Sequence, residues 1–190
     1  MSISTARKAG GFTLVELLVA ATLAGIVLTG VLATNLQLLR SGMRVTQYAE
    51  MSTQVRRGIE QLEGDLKSAS AITWNNASDI TLTIPTTAGG TRQVTYAWTS
   101  ATQSFFMVPG ASSAATTGRV VLVKGIPTRS DGSAGVTFAR YDRTGAVAAT
   151  DAATKRIQVS MNVVRNARTA ATATDTAVSA IFILRNKPAS

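Results

Sequence analysis

The sequence predicts an α+β fold: a long N-terminal helix, apolar and then amphipathic, packed on an antiparallel β-sheet head. Three observations carry this. Residues 12–39 are mostly apolar or small, with one charge, Glu16. From Val45 to Ala69 apolar residues recur at spacings of three, four or seven, which marks one face of a helix. After Ile72 the period falls towards two, and seven alternating or apolar segments follow with turn residues between them, as in antiparallel sheets.

Residues 1–11 read as a leader. Its Arg7 and Lys8 stay on the cytoplasmic side by the positive-inside tendency, which puts the head beyond the inner membrane. Residues 12–39 form the span, since a helix crossing the hydrocarbon core needs about 20 apolar residues. Ala21, Gly25, Thr29 and Ala33 recur every fourth position, a small-residue stripe that allows close helix approach in lipid. Gly30 is the weakest helix former nearby.

Residues 40–71 continue as an amphipathic helix, and no proline occurs before Pro85. Its buried stripe is expected at Val45, Tyr48, Val55, Ile59, Leu62, Leu66 and Ala69. Its wet face is expected to hold Arg56, Arg57, Glu60, Glu63, Asp65 and Lys67. Glu63 and Lys67 stand in the favourable i,i+4 order, and Gly42, Gly58 and Gly64 weaken the helix locally.

Residues 72–190 form the β-rich head. Strands are expected at 79–84, 92–98, 103–108, 119–125, 135–141, 156–164 and 176–184. The apolar run 119–125 suits a central strand. Turns are expected at Gly89-Gly90, Thr99 to Thr102, Pro109-Gly110, Ser130 to Gly132, Thr144-Gly145 and Asn166.

Composition limits the chemistry. The chain has no Cys and no His. An exported head of this kind is held by its apolar core, not by disulfides. The commonest general base and the commonest metal ligand are missing, so no catalytic residue, cofactor or metal is expected and an enzyme is disfavoured. Asp131 is the only acid in the loop 129–135, where calcium would want six to eight oxygens; a plain turn is the expectation, as it is for Asp142 to Gly145. Asn76-Ala77-Ser78 fits a glycosylation acceptor. Net charge is +9, from 19 basic and 10 acidic residues. Loss of Arg7 and Lys8 with the leader would leave 9 − 2 = +7. No aromatic–basic interleaving accompanies this charge, so a solvated basic face is favoured over a nucleic-acid surface.

Gly11, Phe12, Thr13, Leu14, Val15 and Glu16, behind a basic leader, resemble the N-terminus of type IV pilins and type II secretion pseudopilins. The resemblance implies cleavage by prepilin peptidase after Gly11 and N-methylation of Phe12. It also implies that Glu16 compensates the new amine, on its own subunit or a neighbour, during filament assembly. The implied partners are prepilin peptidase, other pilins or pseudopilins contacted through the N-terminal helix, and the inner membrane. A rival processing reading is an ordinary secretory signal cut after Val31-Leu32-Ala33. The stretches Val55 to Leu66 and Ala177 to Asn186 are similar to the spine and last strand of the minor pilin W and pseudopilin J group. This implies a structural subunit that joins, primes or tips a pilus or pseudopilus. The alternative is an adhesion or DNA-uptake pilin that binds anionic ligands through a basic head.

Overall fold

The computed structural model describes residues 13–165 and 174–188. The chain divides into two compact units, Met1–Thr46 and Gln47–Ser190. Helix α1 runs Leu14–Ser68, and eight strands follow among the described residues: β1 Ala71–Asn76, β2 Asp79–Pro85, β3 Thr91–Thr99, β4 Ser104–Pro109, β5 Val120–Lys124, β6 Val136–Tyr141, β7 Arg156–Arg165 and β8 Thr174–Ile183.

In the first unit, α1 carries an apolar stretch at Leu14–Gly42, 29 residues and long enough to cross a membrane. The hydroxyls of Thr22, Thr29 and Thr34 donate to the carbonyls of Val19, Gly25 and Gly30 at 2.8–2.9 Å. These back-bonds remove the polar cost that the three threonines would otherwise bring into lipid.

In the second unit, strands β1 to β5 form a five-stranded antiparallel meander in chain order, and β6 to β8 form a three-stranded one. The last turns of α1 and the inner faces of both sheets share one apolar core. Met51, Val55, Leu62, Leu66 and Ala69 are buried in it; each fully buried leucine contributes about 1.5–3 kcal/mol. Phe105 on β4 bridges the sheets, with its ring 6.0 Å from Tyr96 on β3 and 6.1 Å from Phe138 on β6. A second small cluster forms where Ala115, from the β4–β5 loop, packs on Ala97, Phe106 and Val108. That loop is held by Arg119, which lies 4.3 Å over the Phe106 ring and donates to the carbonyls of Ser113 and Ala115.

Several expectations are corrected. The helix stops at Ser68, not 71, because Ala71 already opens a strand. That strand, β1, is absent from the seven expected. It pairs with β2 through a turn in which Asn76 Oδ1 accepts from the Ser78 N–H at 2.8 Å, so the side chain of the acceptor motif builds a turn. Asp65 is buried, not wet, and Tyr48 is exposed. Ile59 is half-buried, and the side chain of Val45 lies outside the described residues. The run 119–125 gives β5, an edge strand rather than a central one, with Val120 and Val121 exposed. Gly58 is a contact point: a Cβ there would lie 3.0 Å from Val123 Cγ2 and 3.3 Å from Leu122 Cβ. The turn expected at Asn166 lies outside the described residues.

The two acidic turns are internally closed. Asp131 Oδ1 accepts from the Ser133 N–H at 2.8 Å. Asp142 Oδ1 accepts from the backbone N–H groups of Thr144, Gly145 and Ala146 and from the Thr144 hydroxyl. Thr144 foremost holds the Asp142 carboxyl below its ordinary value, because hydrogen bonds to the ionised form favour it.

Candidate functional site

The site begins where α1 begins. Thr13 is the residue before the first helical position, Leu14, and Glu16 lies three residues on. The Glu16 N–H donates to Thr13 Oγ1 at 3.2 Å, and Glu16 Oε2 accepts from the Thr13 N–H at 3.1 Å. This is a reciprocal capping box, which satisfies two of the donors a helix start leaves open. The Thr13 hydroxyl is also 3.1 Å from Glu16 Oε2, and the Leu17 N–H reaches Thr13 O at 3.2 Å. A carboxylate in the first turn also suits the positive end of the helix dipole. The Thr13-x-x-Glu16 spacing before an apolar run is the sequence signal for this cap. Gly11 and Phe12, the expected cleavage and methylation residues, lie outside the described residues.

Several basic residues of the head, expected to form a solvated face, instead make hydrogen bonds or ion pairs within it. Arg92 Nη2 donates to Asp65 Oδ1 at 2.8 Å. Arg140 bonds Asp151 Oδ1 at 2.6 Å and sits 5.1 Å from the Trp74 ring. Lys155 Nζ donates to the carbonyls of Lys187 and Pro188, and Lys187 Nζ donates to that of Ala152. Arg156 donates to the Arg143 carbonyl. These cations close loops, which leaves less of the formal charge free for a ligand. Arg168 lies outside the described residues. Among the described residues there is no cluster of three or more acidic side chains able to hold a metal ion.

A capped 29-residue apolar helix at the N-terminus, long enough to cross a membrane, followed by antiparallel sheets packed on the same helix's end, defines an α+β chain of pilin-like architecture. Residues 6–32 match the family model described as the prokaryotic N-terminal methylation motif. The match supports membership of the type IV pilin and pseudopilin family. The motif indicates processing by prepilin peptidase. No curated protein matches the chain.

Proposed function

We propose that this chain is a minor pilin or pseudopilin. Prepilin peptidase cuts it after Gly11 and methylates Phe12. It crosses the inner membrane once, with the head on the periplasmic side, and then enters a type IV pilus or type II secretion pseudopilus. The observation that carries the reading is the methylation motif at residues 6–32 overlapping an apolar helix that starts with Glu16 in its first turn. A carboxylate in an apolar helix is costly and needs a partner. The new amine of Phe12, on the same or a neighbouring subunit, is that partner once Gly11 is removed.

The minor pilin W and pseudopilin J group, with its place at filament initiation or tip, is the subgroup we favour. Support comes from the two stretches that carry the likeness. The first supplies Leu62, Asp65 and Leu66 to the core. The second supplies Asn186, whose Nδ2 donates to the Ser68 carbonyl at 3.0 Å at the end of α1.

Intact mass and N-terminal sequencing of the protein recovered from membranes test the processing. Phe12 with one added methyl is expected. Thr34 without a methyl would assign an ordinary secretory cut after Ala33 and overturn the reading. Gly11→Ala is expected to leave the leader attached.

A further inference from the structure

Within the head, Arg57, Gly58 and Gln61 on α1 face β5 across an open groove of about 490 Å³, whose other wall is Val120, Val121 and Lys124. The volume falls in the range of ligand-sized clefts. Gly58 brings strand and helix close, since any side chain there would press on Val123 and Leu122. β5 pairs with β4 alone, so its other edge has no strand among the described residues. Edge strands present unpaired N–H and C=O groups, and an extended peptide can add to them. Val120 and Val121 are 47% and 43% exposed, an apolar surface left uncovered among the described residues.

Charge decides the occupant. The groove is lined by two cations, Arg57 and Lys124, and by no carboxylate. Among the described residues neither cation belongs to an ion pair. A second copy carries the same +9 and the same lysine on its own β5, and like charges placed opposite each other suppress pairing. An acidic segment meets the opposite condition.

We propose that the α1–β5 groove binds an extended, acidic peptide segment of a different protein, laid along β5 with carboxylates towards Arg57 and Lys124 and apolar side chains on Val120 and Val121. This goes beyond the filament reading and does not depend on how α1 is processed.

The test uses the full chain in detergent micelles and a fluorescein-labelled peptide of about eight residues alternating valine and glutamate, long enough to cover a strand. Fluorescence anisotropy is expected to give saturable binding, and hydrogen exchange is expected to slow at residues 120–124. The double variant Arg57→Glu with Lys124→Glu changes two exposed positions and should weaken binding roughly tenfold or more. Val121→Asn should weaken it through the apolar floor, whereas Arg143→Glu, away from the groove, should not. Four results would each overturn the proposal: no binding to the wild type, equal binding of a valine–lysine peptide, undiminished binding by the double variant, or exchange protection elsewhere. Displacement of the peptide by a lower concentration of single-stranded oligonucleotide would assign the groove to nucleic acid and likewise overturn it.

Discussion

The Tyr96 hydroxyl donates to Asp65 Oδ2 at 2.7 Å, tying β3 to α1 at a point where both residues are buried. Arg92, two pairs of residues back along β3, takes the other carboxylate oxygen. The carboxylate therefore fixes the helix against the five-stranded sheet by polar bonds inside an apolar core. Such a network has high stakes, since Asp65 or Tyr96 left alone becomes a buried unsatisfied group.

Removing one member is expected to cost more than the bond itself. Asp65→Ala should destabilise the head by about 2–3 kcal/mol, and Tyr96→Phe by about 1–2 kcal/mol. The double variant should lose less than the sum, with a coupling of about 1 kcal/mol. Denaturation followed by the fluorescence of Trp74 and Trp98, both in the head, measures all three. Strict additivity would show that the two residues do not act together.

The same bond sets an alkaline limit. Burial first, then the Asp65 hydrogen bond and charge, push the Tyr96 phenol up from its ordinary value of 10.0. The folded state thus holds its proton more tightly than the unfolded one. The stability this contributes is complete below about pH 10 and is lost as pH rises above it, where the unfolded phenol ionises. The thermal midpoint of the wild type should fall more steeply above about pH 10 than that of Tyr96→Phe.

Two glycines should respond in opposite directions. At Gly64 nothing lies within 4 Å of an added Cβ, so Gly64→Ala should stabilise the helix by about 0.5–1 kcal/mol. At Gly135 the Cβ would come 2.3 Å from the Pro127 carbonyl oxygen and 2.6 Å from Ile126 Cγ2. The carbonyl is backbone and cannot swing away, so Gly135→Ala should destabilise by about 1–3 kcal/mol. Thermal melts of the two variants check both signs.

Glu16 has a local use, the cap on Thr13, and a proposed intersubunit use, compensation of the Phe12 amine. Glu16→Gln separates them, because glutamine still serves a capping box but carries no charge. Membrane insertion should persist, while recovery of the subunit in sheared filaments should fall at least tenfold, about 1.4 kcal/mol per subunit contact. Normal incorporation of the glutamine variant would leave capping as the residue's role.

The sequence was most legible where one period ran long. The stripe at Val55, Leu62, Leu66 and Ala69 is buried as its spacing predicts, and each of the seven expected strands overlaps an observed one. Legibility failed where a partner far along the chain decides. Asp65 sits among charged residues and looks solvated; Arg92 and Tyr96, 27 and 31 positions later, bury it. Residues 120–123 of β5 are all apolar, as in a central strand, but no pairing rule within residues 119–125 tells where the sheet stops. β1 begins three residues after α1 ends and finishes in Asn75-Asn76, too short an alternation to stand out from the helix before it. At the N-terminus the short motif around Glu16 is legible as a family resemblance, and the same residues, Thr13 and Glu16, also carry the spacing of a capping box.

The bond from Asn186 to the Ser68 carbonyl spans 118 positions. A chain made from its N-terminus delivers the helix long before the amide that closes its last turn. Until that late segment arrives, the apolar side of the helix and the first sheet are without β7 and β8, and a stalled or shortened chain offers proteases an open core. Arrival of that late segment and acquisition of a sealed head are in this way the same event, so a chain cut short before Asn186 is marked for proteolysis by its own exposed core.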